Sequence, residues 1–133
     1  MSQENVEVVK QALDAYVRRD LDAVAALSDR DVEVDWSRSV GWIGGVYRGI
    51  DEVVRFYTDY LMEVFDAVGL EAQAYTSAGD SVVVPNVVRL RGRQGIEVTA
   101  RNTLVFTLRN GKLARICLYQ DIDEALNAVG LEE

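Results

Sequence analysis

Carboxylates, side-chain amides and aromatic hydroxyls are the groups with which this chain could do chemistry. Its 133 residues include 22 Asp or Glu and 14 Lys or Arg, but no histidine. That excludes Ser-His-Asp and Cys-His catalysis and the usual zinc, copper and non-haem iron sites, so no metal is expected. The single cysteine, Cys117, lies in the apolar run 113–119 and reads as a small buried hydrophobe rather than a nucleophile. Two carboxylates remain as candidate acid–base groups, Asp35 and Asp121. Residues 31–36 alternate, with Val32, Val34 and Trp36 on one face and Asp31, Glu33 and Asp35 on the other. Asp35 therefore points away from the apolar face of its own strand.

Amides on apolar faces carry more information. Along 81–91, Asn86 shares a face with Val82, Val84, Val88 and Leu90; along 96–109, Asn102 shares one with Val98, Ala100, Leu104 and Phe106. A loop over 93–95 would pair Leu90 with Val98, Val88 with Ala100 and Asn86 with Asn102. It would also set Arg91 against Glu97 on the other face, a favourable charge match. A glycine bulge at Asn110-Gly111 would bring Gln120 beside Asn102, whereas a plain two-residue turn would bring Tyr119 there. The favoured expectation is the bulge and a cluster of Asn86, Asn102 and Gln120 among valine, leucine and phenylalanine. Buried amides need partners, so these either satisfy one another or face a ligand. Tyr16, Trp36 and Tyr57 come from elements that would line the same hollow, and Trp42 could lid it or face a second subunit.

The elements that must position these groups follow from periodicity. Residues 4–18 form an amphipathic helix with Val6, Val9, Leu13, Tyr16 and Val17 on one side. Asp20 caps a second helix ending near residue 28. After the strand 31–36, a glycine-rich loop with a short strand leads to a third helix, capped by Asp51 and running to about 68. Its stripe is Val54, Tyr57, Leu61, Val64, Phe65 and Val68. Strands 70–77, 81–91, 96–109 and 112–120 form a meander, and a helix over 121–129 closes at Gly130. Helices first and long strands after indicate segregated α+β, with helices packed on a strongly curved, mixed or antiparallel sheet around a small apolar pocket.

Composition narrows the setting. A formal net charge of −8 disfavours nucleic acid and anionic membranes. No apolar run approaches a bilayer span and the N-terminus is polar, so a soluble cytoplasmic chain is expected, with residues 1–133 as one domain.

The segments Tyr16-Val17-Arg18-Arg19-Asp20-Leu21-Asp22-Ala23, Val46-Tyr47-Arg48-Gly49, and Asn110-Gly111-Lys112 through Asp121-Ile122-Asp123-Glu124-Ala125-Leu126 resemble the SnoaL-like branch of the nuclear-transport-factor-2-like superfamily. The resemblance spans essentially the whole chain. It implies a cone-like α+β barrel, a pocket between the helices and the concave sheet face, and a homodimer through the sheet. Fold alone does not choose among the superfamily's isomerases, cyclases, hydrolases, dehydratases and binders. Carried over without gaps, the ketosteroid-isomerase base position falls on Trp36, the tyrosine on Ala12 and the oxyanion acid on Leu104. One deleted residue near Ser28 would bring Asp35 to the base position. The epoxide-hydrolase Asp-Arg-Asp pattern is also broken, because Arg101 has only Asp121 to supply an acid.

The leading expectation is a cofactor-free pocket for a small, largely apolar molecule, with possible isomerase-, cyclase- or lyase-type work by Asp35 or Asp121. Its binding residues would be Tyr16, Trp36, Trp42, Tyr57, Asn86, Asn102, Phe106 and Gln120. The alternative is a non-catalytic homodimeric ligand-binding or protein-interaction module. Val83, Val87, Val105 and Cys117 would give the sheet's outer face its apolar character.

Overall fold

The computed structural model describes residues 2–39, 44–62, 65–92 and 95–131. Helix α1 (Ser2–Val17) buries Val9, Ala12, Leu13 and Ala15. Val17, expected in the stripe, is exposed because the helix unwinds there. Arg19 adopts a left-handed conformation (φ 62°), and the Asp20 amide bonds back to the Ala15 carbonyl at 2.9 Å. The Asp20 side chain then accepts the Ala23 amide at 3.1 Å and starts α2 (Leu21–Leu27), as its sequence predicts.

Strand β1 (Ser28–Asp35) pairs antiparallel with the short β2 (Val46–Arg48) and parallel with β7 (Lys112–Tyr119). The third helix departs from expectation at both ends. Gly49, with φ 86° and no side-chain cap, precedes α3 (Ile50–Phe56) in the place expected of Asp51. A π-helical turn, Tyr57–Met62, follows, and the chain is already extended as β3 (Phe65–Ala72) where the helix was to continue. Val68 pairs with Leu90, so it packs as a strand residue. The apolar run 64–70 fits either period, and pairing with a neighbouring strand overrides it. Of the expected stripe, the Leu61 side chain and Val64 lie outside the described residues.

The expected strand 70–77 is two strands, β3 and β4 (Thr76–Ala78), both paired with β5 (Ser81–Gly92). Their gap flanks Pro85, which has no N–H to donate; its carbonyl instead accepts the Gln73 amide at 2.8 Å. Strand β6 (Glu97–Arg109) pairs with β5 in the predicted register: Asn86 opposite Asn102, Val88 opposite Ala100, Leu90 opposite Val98, Arg91 opposite Glu97.

The β6–β7 hairpin carries a bulge, but not at the turn. Asn110 (φ 54°) and Gly111 (φ 76°) form a two-residue turn that sets Leu108 opposite Leu113. The register then shifts so that Thr107 faces Arg115, Leu104 faces Leu118 and Thr103 faces Tyr119. Ala114 is the extra residue, and the row next to Asn102 is the one a bulge was expected to produce.

The result is a mixed, curved, unclosed seven-stranded sheet of order β2-β1-β7-β6-β5-β3, with β4 also on β5. Helices α1 to α3 cover its concave face. The core there joins Val9, Leu13, Val53 and Phe56 to Val32, Val82, Leu104, Phe106 and Leu113. Helix α4 (Ile122–Ala128) lies on the other face. No helix among the described residues is long and apolar enough to cross a membrane.

Candidate functional site

A cavity of about 430 Å³ lies between the helices and the concave face. Its walls are mostly aliphatic and aromatic, from Ala12 and Leu13 on α1 to Leu104, Phe106, Ile116 and Leu118 on the sheet. Because α1 packs along the sheet by its small residues, and β6 outruns β7 at one end, side chains do not fill the hollow. Val98 and Ala100, on that protruding part of β6, line it while remaining exposed, Val98 at 50%. The cavity therefore opens at the β5–β6 hairpin end.

Polar groups are few. Tyr16 from α1 and Tyr57 from the first position of the π-helical turn meet with ring centroids 5.4 Å apart. Neither hydroxyl has a hydrogen-bond partner among the described residues. Asn86 Oδ1 is the sole sealed side-chain polar atom without a partner among the described residues. Burial pushes both phenols above their ordinary pKa; for Tyr16 the neighbouring Tyr57 adds to the rise and Arg19 opposes it. Both therefore stay protonated donors. Phe56, stacked on Tyr47 at 4.2 Å and edge-on to Trp36 at 5.8 Å, backs this aromatic wall, and Trp36 lines the cavity beside it.

The amides divide. Asn86 Nδ2 donates to the Val84 carbonyl at 2.9 Å and to Asn102 Oδ1 at 3.3 Å. The Val84 carbonyl can only accept, so it fixes which way Asn86 points. Asn102 must then present its oxygen to Asn86, which leaves the Asn102 NH₂ as a donor at the cavity wall. Asn86 itself, 2% exposed, stands behind Asn102 rather than on the wall. Gln120 lines the cavity, but its Nε2 donates to the Arg38 carbonyl at 2.9 Å instead of joining the asparagines. The three-amide cluster is thus a pair plus a separate glutamine. Phe106 lines the wall as expected; Trp42 lies outside the described residues.

Neither carboxylate candidate is among the lining residues. Asp35 pairs with Val46 and Cys117 and projects from the outer face, as the alternation of β1 requires. There Oδ1 accepts the Ser37 amide at 3.0 Å and the Ser37 hydroxyl at 2.5 Å, while Oδ2 accepts Arg115 Nη2 at 3.0 Å. Desolvation is the largest single influence on its pKa and raises it, but the Ser37 hydrogen bonds together with Arg115 and Arg38 outweigh it. The net shift is downward. A carboxylate so held is a poor proton acceptor. Asp121 is exposed and caps α4, accepting the Asp123 amide at 2.9 Å. No carboxylate among the described residues lines the cavity, and no described cluster could hold a metal ion.

Helix α4 also accounts for much of the apolar outer face. Ala125, Leu126 and Val129 cover Val83, Val105, Cys117 and Tyr119, which removes the surface argument for a partner subunit there. Cys117 is fully buried in that layer.

Sequence reasoning weighed Arg101 only for the hydrolase pattern and did not name Ser39, Phe65 or Leu70 as site residues, and all four are among the lining residues. Arg101 stands between Ala100 and Asn102 where β6 extends past the end of β7 at Tyr119, still paired with Val87 on β5. Phe65 was hidden by the helix expected to continue through it.

A family model described as a SnoaL-like domain matches residues 9–116. Among solved structures, an NTF2-like protein of unknown function from Burkholderia pseudomallei is 25% identical, with 98% of this chain and 99% of that one covered and a TM-score of 0.78. TerC, crystallised with polyporic acid, is 21% identical over 95% of this chain and 98% of its own, with a TM-score of 0.79. Rv0760c from Mycobacterium tuberculosis, in complex with estradiol-17β-hemisuccinate, is 15% identical over 90% and 95%, with a TM-score of 0.75. No curated protein matches the chain.

Proposed function

Since the chain belongs to the SnoaL-like domain family, a fold that leaves the reaction open, we propose that it binds a small, largely apolar molecule carrying one or two oxygen acceptors. The observation that carries this reading is the composition of the cavity. Its volume falls in the range of small-molecule sites, its walls are mostly apolar, and neutral donors from Tyr16, Tyr57 and Asn102 stand among them. Two phenol hydroxyls and the Asn102 NH₂, without partners among the described residues, favour a ligand that offers them a carbonyl or hydroxyl oxygen. That TerC was crystallised with polyporic acid and Rv0760c in complex with estradiol-17β-hemisuccinate supports a small-molecule ligand by analogy of fold.

General acid–base catalysis by Asp35 or Asp121 does not form part of this reading, because both lie outside the cavity. Isomerase- or cyclase-type work at this site would rest on tyrosine and amide donors stabilising a developing oxyanion, with the base brought by substrate or water. The setting proposed is a single cytoplasmic domain of residues 1–133 acting without a cofactor. A homodimer, if formed, would use surface other than the layer that α4 covers.

The test is direct titration with N-phenyl-1-naphthylamine, a neutral fluorophore that brightens in apolar surroundings. Saturable binding of one molecule per chain, with Kd of about 1–50 µM, is expected. Widening the side chain at Ala12, as Ala12→Phe, should abolish it while the circular dichroism spectrum is kept. Absence of binding up to about 200 µM would end the pocket reading.

A further inference from the structure

Strand β6 outruns β7, and the stretch beyond has one edge free. On one side residues 97–101 pair with residues 87–91 of β5. On the other, pairing with β7 ends where Thr103 faces Tyr119, after which the chain leaves the sheet and Asp121 caps α4. No described strand takes the backbone N–H and C=O groups that this stretch directs to that side. All five residues are exposed, so neither face is covered. Val98 is 50% exposed and Ile96, just before the strand, 64%; among the described residues the only other exposed large hydrophobics are Val17 and Ile122, so such surface concentrates here. An edge of this kind is a template for another strand, and monomers guard theirs with charge, proline or a bulge. The charges here are one acid and one base, Glu97 and Arg101, on the face away from the cavity. Neither side chain has an ion pair or hydrogen bond among the described residues.

We infer that this edge receives the same edge of a second copy of the chain, paired antiparallel about a two-fold axis normal to the sheet. Such an axis keeps every side chain on its own face, so it must pass through a residue rather than between two. Through Thr99 it sets Val98 against Ala100, and it sets Glu97 against Arg101 twice. Moved to Val98, it sets Glu97 against Thr99 and the match is lost. Moved to Ala100, it sets Glu97 against Thr103, whose edge Tyr119 already holds. The charges therefore select one register, and the partner they fit is the same strand. On the opposite face Val98 and Ala100 line the cavity. The pairing brings the partner's Val98 and Ala100 to its mouth and covers apolar surface that one chain leaves in water. Occupancy of the cavity is not required, so this pairing stands or falls apart from the binding reading above.

Sedimentation equilibrium of the full chain provides the test. The wild type should dimerise with a Kd of about 1–100 µM, the range of a small interface. Glu97→Arg and Arg101→Glu each set like charges opposite one another twice, and each should weaken the dimer by about tenfold or more. Glu97→Arg combined with Arg101→Glu restores both matches in reverse and should return the Kd to within about threefold of wild type. Both positions are exposed, so circular dichroism should show the fold kept in all three variants. A wild type still monomeric at about 200 µM overturns the pairing. A dimer that neither single reversal weakens also overturns it, because its interface lies elsewhere. Opposite effects of the two single reversals overturn it too, since they mark overall charge. Weakening that the double reversal leaves unrepaired marks lost packing and overturns it as well. Growth beyond a dimer has the same meaning, because a two-fold contact closes on itself.

Discussion

Strands β1 and β7 show two chemistries back to back. Towards the helices they present Val34, Ile116 and Leu118, with Trp36 just past the end of β1, and these enclose the core and the cavity. On the other face the same strands present Glu33, Asp35, Arg115 and Cys117. There Arg115 Nε donates to Glu33 at 3.0 Å and its Nη2 to Asp35 at 3.0 Å, while Arg48 Nε meets the second Glu33 oxygen at 3.0 Å. Among the described residues, the carboxylates of these strands are held by arginines on the outer face, and no carboxylate lines the cavity. The difference teaches that in this fold a carboxylate on a cavity-forming strand is not thereby a cavity residue. A period of two separates neighbours by the full thickness of the sheet.

The comparison can be broken or sharpened experimentally. Phe56→Ala should have the largest effect. It removes the ring that joins Trp36, Tyr47 and Tyr57, and should cost about 3–5 kcal/mol of stability in urea titration. A loss under about 1 kcal/mol would mean that the aromatic wall is not a packed unit. Asp35→Asn should cost less, about 1–3 kcal/mol, because it weakens one charge-assisted contact in a partly solvated network. Its Kd for N-phenyl-1-naphthylamine should stay within about twofold of wild type; a tenfold change would bring Asp35 back into the site.

Tyr57→Phe and Tyr16→Phe should each weaken binding of prodan, a carbonyl-bearing fluorophore, by about 2- to 10-fold, the value of one neutral hydrogen bond. Naphthalene, which lacks the oxygen, should not register either change. If both molecules respond alike, the hydroxyls are not donors to the ligand.

The smallest effects concern pH. Asp35 and Glu33 have folded pKa values below their ordinary ones: at Glu33 the Arg115 hydrogen bond lowers it most, desolvation opposes, and Arg48 adds to the lowering. Such groups stabilise the folded state above the unfolded-state carboxylate range and lose that contribution as pH falls through their depressed folded values. Thermal stability should therefore hold from about pH 8 to 5 and decline below about pH 4, and Asp35→Asn should blunt the decline. Binding of the neutral fluorophore should be flat from about pH 5 to 9, since both cavity phenols titrate above their ordinary value. A midpoint inside that window would reveal a titrating group in the cavity.

Much of this architecture was legible beforehand. The amphipathic period of α1, the Asp20 cap and the alternation of β1 are local signals, and each marks its element to within a few residues. The β5–β6 register was legible because Arg91 and Glu97 match on one face while Asn86 and Asn102 match on the other. The end of α3 was not: residues 64–70 carry no local mark that prefers helix or strand, and pairing with β5 decides the matter. The bulge was inferred at the glycine turn, yet it sits at Ala114, between the Leu108–Leu113 and Thr107–Arg115 pairs.

By itself the sequence determined which groups this protein owns and which face of each strand they occupy, because residue identity and the two-residue period are properties of the chain alone. It thereby excluded histidine chemistry and turned Asp35 outward. Tertiary structure decided where each strand stops, and so which faces enclose space. The end of β7 at Tyr119 leaves Val98 and Ala100 at an open mouth, and the placement of α4 covers valines that otherwise read as an interface. Both depend on how distant segments pack, which no local pattern encodes.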